Sequence, residues 1–475
     1  MSHPRWVRAA GLGVLGSLLL PTTALAQDGP ALEDVAGSLD VTWIIIGTVL
    51  VFFMQAGFAF LEIGFSRAKN AGMGIAKILV NFSVASIVWW IVGFAIAFGG
   101  GGWLAGDSGW FFQYGTEVAG TPAAGADTAF FAFQFMFCAV SLAIVWGSTL
   151  ERIKFGAYII FAVIFSAIIY PLIAHWGFGG GLFAEIGNGV QDFAGSSVVH
   201  LTGATAALAA LIVLGPRKGK FGPDGKPRPI PGHSMPLFGL GVLILWLGWF
   251  GFNAGSTLGV ADNRFAEVVA VTNLGAAGGV LGAALMIYIL WKKLDVGMTG
   301  NGAIAGLVAI TAPSGYVEFW AAPIIGFVAG VIVVLGVIAI EKRLDDPVGV
   351  LAAHGLCGIW GTLACGLFTS TRLAEYVGVG DPGLFYSGSF KQLGVQAAAV
   401  CLTFIAVLVL SLVSFWIIRA IIGGIRVSEA DEDAGLDISE HGMYGYPEQF
   451  IPTAELESYG ALSTRPIASE AVPAS

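Results

Sequence analysis

The sequence predicts an all-α integral membrane fold of about eleven transmembrane helices, with an inverted five-plus-five helix repeat and one extra C-terminal helix. Three observations predict it. First, 56% of the 475 residues are hydrophobic and only 11% are charged, whereas soluble chains carry about 25% charged residues. Second, apolar stretches long enough to cross a bilayer recur along the chain. Third, basic residues occur in alternate loops. The 69 glycines are in keeping with this class, because small residues let membrane helices approach closely. The net charge of −9 gives no footing for nucleic acid, and much of the acid lies in the C-terminal tail.

Residues 1–26 have the form of a signal peptide. Arg5 and Arg8 precede an apolar run from about Ala9 to Leu20, and Thr23-Ala24-Leu25-Ala26 supplies a small-residue cleavage site. The run is short for a membrane span. Cleavage after Ala26 would leave the mature N-terminus outside.

The apolar stretches that follow centre near Leu50, Val88, Ala139, Val163, Ala206, Leu245, Leu281, Leu307, Val331, Ile359 and Leu408, the one at Leu307 being the shortest. They define a transmembrane domain over 27–425. Loops assigned to the inside carry Arg67 and Lys69, then Arg152 and Lys154, then Arg217 to Arg228, then Lys292 and Lys293, then Lys342 and Arg343. Loops assigned to the outside carry only Arg264, Arg372 and Lys391 as cations. The positive-inside rule then places the N-terminus outside and the tail, 426–475, in the cytoplasm. That tail is polar and acidic early on, and either stays partly disordered or docks on the cytoplasmic face.

The two halves share a pattern. Asp192-Phe193-Ala194-Gly195 is followed by His200, and Asp346-Pro347-Val348-Gly349 by His354. Both read D-x-x-G-x-x-x-x-H, at the entry to the fifth and the tenth helix. Repeats of five helices are inverted relative to each other in a membrane, and the pathway of such a protein lies at the repeat interface.

Of six histidines, His200 and His354 lie within apolar helices, where an ionisable group is costly and points to function. At equivalent repeat positions they can face each other near the midplane, share one proton and titrate as a unit. His175 stands near the outer end of the fourth helix. Two histidines without a third ligand make a poor zinc site, and the four cysteines form no CxxC pair, so no metal, disulfide framework or cofactor is expected. Asp192 and Asp346 are placed to cap the backbone N–H groups of the helices they precede. Asp192 also adds negative charge at the outer vestibule. Phenylalanines crowd the start of the third helix, and Trp246, Trp249, Phe250 and Phe252 lead into Asn253-Ala254-Gly255-Ser256. Aromatic faces attract cations, and a serine hydroxyl accepts from an N–H donor. An ammonium ion shedding its water needs such partners, whereas a K⁺ filter uses rings of carbonyl oxygens.

The segments QAGFAFLEIGFSRAKNAG (55–72), Asp192 to His200, WFGFNAGS (249–256), HGLCGIWGTLA (354–364) and DISEHG (437–442) make the chain resemble the ammonium transporter (Amt/Rh) superfamily, bacterial Amt branch, over nearly the whole mature sequence. The resemblance implies eleven helices per subunit, a homotrimer with one pore in each subunit, no enzymatic activity, and ammonium or ammonia as cargo. It implies that His200 and His354 are the twin pore histidines, that Phe137 and Phe252 close the outer mouth, and that Trp249 lines the pore. Phe133, Ser256 and Asp192 match recruitment-site positions. Where the family often has a tryptophan before a glycine run, this chain has Phe178 ahead of Gly179-Gly180-Gly181, with Trp176 two residues earlier. Bacterial relatives are often blocked by a trimeric PII-type signalling protein, for which the basic loop from Arg217 to Arg228 and the tail are candidate surfaces. Glu62, late in the first helix, matches one subgroup and is expected to partner another helix.

The mechanism these residues imply gathers NH4+ outside, strips a proton, conducts NH3 through an apolar pore, and passes the proton along the twin histidines. Electroneutral ammonia flux and ammonium sensing use the same residues and are the alternatives.

Overall fold

The computed structural model describes residues 32–113, 122–260 and 262–451. The signal-peptide region lies outside the described residues. Among them are ten helices long and apolar enough to span a bilayer, and an eleventh shorter one, all labelled here in chain order: α1 (Leu32–Phe65), α2 (Ala68–Phe98), α3 (Gly125–Gly147), α4 (Phe155–Ala184), α5 (Ser196–Leu214), α6 (Met235–Gly255), α7 (Arg264–Trp291), α8 (Val296–Thr311), α9 (Ala321–Ile340), α10 (Leu351–Phe368) and α11 (Lys391–Ile422). Each of the eleven predicted centres falls inside one of them. The chain is thus an all-α, multi-pass membrane protein.

The shortest helix, α8, is also among the most enclosed, with every residue from Asn301 to Thr311 buried. Sixteen residues at about 1.5 Å each fall short of a hydrocarbon core of about 30 Å. Protein rather than lipid surrounds α8, so its length need not match the bilayer. Glycines make that enclosure possible. A Cβ on Gly279 of α7 would stand 2.2 Å from the Gly302 carbonyl of α8, and one on Gly330 of α9 would stand 2.2 Å from the Gly279 carbonyl. Three backbones therefore meet where no side chain fits.

The repeat is visible at α5 and α10. Each opens with a wide i→i+5 turn, Ser196–Leu201 and Leu351–Leu356. The glycine of each D-x-x-G motif has positive φ, 111° at Gly195 and 76° at Gly349, which L side chains rarely adopt. That requirement accounts for the glycine in both copies. The two helices enter from opposite ends of the bundle. Asp346 lies among Arg217, Lys220 and Glu341 at the basic end, and Asp192 lies at the other.

The basic end is held by buried ions. Arg217 grips Asp345 with Nε and Nη2, each at 2.9 Å. Arg152 spends its donors on the carbonyls of Gly215, Leu150 and Asp345. Glu151 takes the backbone N–H and Nε of Arg67 at 2.6 and 2.7 Å. Burial alone would raise the Asp345 carboxyl, but the hydrogen bonds and charge of Arg217, with the charge of Arg152, hold it down at about 2.

The described part of the tail docks on this end through α12 (Glu429–Ala434) and α13 (Leu436–His441). Asp437 accepts from the N–H groups of Gly72 and Met73 at the start of α2, at 3.0 and 2.8 Å. Glu440 accepts from the Phe155 N–H at the start of α4, at 2.9 Å. Both carboxylates sit where helix N-termini favour negative charge.

Candidate pore and its outer mouth

A line of rings runs from the end of the bundle opposite the basic end to its centre. Phe137 of α3 and Phe252 of α6 stack with centroids 4.1 Å apart and planes at 20°. Both are buried. On one side Phe178 meets Phe137 edge to face at 6.3 Å. Phe133, one turn before Phe137 on α3, meets it edge to face at 4.8 Å, and its ring edge fills the space a Cβ on Gly255 would need. Phe133 is fully buried, as Phe137 and Phe252 are. Ser256 is half-buried at the end of α6, and its hydroxyl donates to the Phe252 carbonyl at 2.8 Å. Its lone pairs accept no hydrogen bond among the described residues.

Trp176 and Phe178 are sorted by their partners. The Trp176 indole is buried and donates to the Leu104 carbonyl at 3.0 Å. Phe178 is the ring beside the gate. His175, also buried, brings Nδ1 and Nε2 to the carbonyls of Ala97 and Gly102 at 3.0 and 2.7 Å. It ties α4 to α2 and the segment that follows, and does not join the line of rings.

Below the gate, His200 lies 5.5 Å from Phe252 and 5.2 Å from Trp249, nearly parallel to the indole. Trp249 is fixed in turn by donation from its Nε1 to Thr311 Oγ1 of α8 at 2.8 Å. His354 follows, with Nδ1 3.3 Å from His200 Nδ1. One proton between the two nitrogens satisfies both. Nε2 of His200 is buried without a hydrogen-bond partner among the described residues. Histidines joined edge to edge in this way can pass a proton from ring to ring. The wide turns at the starts of α5 and α10 carry both, and such turns recur at functional sites.

Asp192 does not line this path. Oδ1 accepts from the N–H groups of Gly195 and Ser196, and Oδ2 from those of Ser197 and Val198, all at 2.7–3.0 Å. Four donors fix the first turn of α5 and with it the height of His200. Asp346 does the same for α10 with fewer bonds, accepting from Leu351 N–H and the Ser148 hydroxyl at 2.8 and 2.9 Å.

Sequence reasoning missed Lys77 of α2, which is buried and lies 3.4 Å from Glu62 of α1. The signal was available, since a single lysine within the apolar run of α2 calls for a partner. Thr311, which fixes Trp249, carried no signal, because its partner is 62 residues away.

Stacked rings over paired histidines, at the interface of inverted repeats, make up the candidate site of this multi-pass membrane protein. The profile of the Ammonium Transporter Family matches residues 42–446, and the chain belongs to that family. It is 42% identical to the ammonium transporter Amt2 of Archaeoglobus fulgidus over 94% of this chain and 97% of that one. Among solved structures it resembles a sensor Amt protein, with a TM-score of 0.79, 34% identity and coverage of 86% of this chain and all of that chain. It also resembles Mep2 of Candida albicans, with a TM-score of 0.75, 31% identity and coverage of 83% and 87%. The family consists of transporters, not enzymes.

Proposed function

We propose that the chain takes up ammonium across a bacterial inner membrane, with the mature N-terminus periplasmic and the basic end and tail cytoplasmic. The observation that carries this reading is the unbroken line from Phe178 through Phe137 and Phe252 to His200 and His354. NH4+ gathers where Asp192 lends negative potential, Ser256 offers a hydroxyl, and Phe178 offers a π face. The Phe137–Phe252 stack, backed by Phe133, admits one small solute at a time. Beyond it a bare cation loses several kcal/mol of solvation, so NH4+ yields a proton and NH3 crosses beside Trp249. The proton moves through the Nδ1···Nδ1 contact of the histidine pair. Net transfer of one charge makes uptake electrogenic and driven by the membrane potential. In a bacterium this supplies nitrogen for assimilation.

The family resemblance adds a homotrimer and a PII-type regulator at the cytoplasmic face. Arg217 and Lys220 are buried and ion-paired with Asp345 and Glu341, and Lys218 is paired with Asp433 of the tail, so the surface offered to such a regulator reduces to Lys226, Arg228 and the tail. A sensing role is the second reading. It is favoured by the docking of Asp437 and Glu440 on the starts of α2 and α4, which gives the tail a means to report a change in those helices.

Growth separates the two readings. Expression in a strain that lacks ammonium uptake should restore growth on low ammonium. A folded, membrane-inserted protein that fails to restore growth, yet loosens its tail when ammonium is added, would replace transport by sensing.

A further inference from the structure

Glu62 and Lys77 have no place in the transport reading above, yet they are a buried ion pair inside the membrane domain. Lys77 Nζ stands 3.4 Å from Glu62 Oε2, and the two side chains are 1% and 2% exposed. Nζ also donates to the Trp146 carbonyl at 3.3 Å. Trp146 is held by donation to Asn81 Oδ1, and the Tyr158 hydroxyl donates to the Lys77 carbonyl. The lysine is therefore fixed from three helices. Burying such a pair is costly, and joining helices alone is done at lower cost by apolar packing.

The pair does not close on itself. Lys77 occupies Oε2, while Oε1 takes no hydrogen bond among the described residues and lies on the Gly147 side, 3.8 Å from where a Cβ on that glycine would stand. Gly147 and Glu62 both line a small cavity of about 20 Å³, and so does His354. A space of at least about 10–15 Å³ holds one water. The rest of the lining is apolar, Leu245 and Ile304 among it, apart from Asn301. Asn301 donates to the Val348 carbonyl at 3.1 Å and does not titrate. Asn301 and Val348 also line the wider inner vestibule of about 340 Å³ that contains Asp346, Arg217 and Lys220. A proton on the inner side of His354 thus has one titratable neighbour in its own cavity, and the vestibule lies just beyond.

We propose that Glu62 is the inner relay for the proton that the histidine pair carries, with Lys77 as its positioning residue; this rests on the twin-histidine reading above. The Nε2–H bond of protonated His354 breaks, the proton passes to a water in the cavity, and that water gives up a proton to Glu62 Oε1. The carboxylate becomes a neutral carboxylic acid and His354 a neutral imidazole. The O–H bond of Glu62 then breaks toward water of the vestibule, where NH3 is protonated again. One positive charge moves inward and nothing is oxidised or reduced. Lys77 holds Oε2 and returns the group to its ionised form between cycles.

The test records current and internal alkalinisation together in liposomes after an ammonium pulse, for the parent, Glu62→Gln, Glu62→Gln with Lys77→Met, Glu62→Asp, and His200→Ala with His354→Ala. The charge-neutral double variant removes the pair without stranding a lysine. It should lose current about tenfold or more while ammonia entry persists, and Glu62→Asp should recover part of the current. Parent-level current in the double variant would overturn the relay, as would loss of current and ammonia entry together in a folded protein, which marks a structural pair. A parent without current would instead sink the twin-histidine reading, and the relay with it.

Discussion

Two groups of buried ionisable side chains lie a few turns apart in this protein, and they are built on opposite plans. At the basic end Arg152, Arg217, Glu151 and Asp345 satisfy one another almost completely, with a bidentate pair and backbone carbonyls on the Arg152 donors, and Arg217 Nη1 alone of these donors is held only by charge, 3.6 Å from Glu151. At the bundle centre His200 and His354 share one contact of 3.3 Å, and His200 Nε2 has no partner among the described residues. Both regions are fully enclosed, so burial does not tell them apart. Saturation does. A polar group whose every donor and acceptor is used is locked and contributes structure. A group left with a free lone pair at the edge of a cavity can gain and lose a proton. Glu62 and Lys77 fall between the two plans, with one carboxylate oxygen bound and one free.

The largest effect should come from breaking the saturated cluster. Asp345→Ala removes the carboxylate that holds Arg217 inside the protein, and removing one partner of a buried pair costs about 3–5 kcal/mol. Thermal unfolding in detergent should show that loss, with little change in transport per folded molecule. Asp345 also sets an acid limit. Its carboxyl titrates at about 2 in the folded chain, below the ordinary value of about 3.9. The depressed value means that the stabilisation is complete above about pH 4 and is lost as pH falls through about 2, on the order of 2 kcal/mol in all. Unfolding curves from pH 6 to 2 should show that fall, and Asp345→Asn should flatten it.

A smaller effect is expected at the outer mouth, which belongs to the unsaturated region. Phe178 offers a π face and no donor. Phe178→Trp adds the better cation–π partner, worth about 0.5–1 kcal/mol at a partly exposed site. The half-saturating ammonium concentration should fall by about two- to fivefold. An unchanged value would place recruitment away from this ring.

Much of the fold was legible in the sequence because membrane insertion is a local constraint. Each span must be apolar over its own length, so Leu50 to Leu408 could be located one stretch at a time. The histidines were legible because the D-x-x-G-x-x-x-x-H pattern occurs twice, and its glycines answer to a backbone requirement at Gly195 and Gly349. What escaped depends on distant partners. Asp437 meets Gly72 across 365 residues, and nothing in the acidic tail states that it caps α2. The enclosure of α8 depends on Gly279 and Gly330 lying on two other helices. Phe133 could be named from the family resemblance, but its packing against Gly255 depends on a partner in another helix.

The central claim is that the unsaturated histidine pair carries a proton separately from ammonia. The most direct measurement is the liposome current after an ammonium pulse, for the parent and for His200→Ala with His354→Ala. A current in the parent that disappears in the double variant, while ammonia still enters and alkalinises the interior, is the predicted result. Rapid alkalinisation without any current in the parent would contradict it and leave an electroneutral ammonia channel.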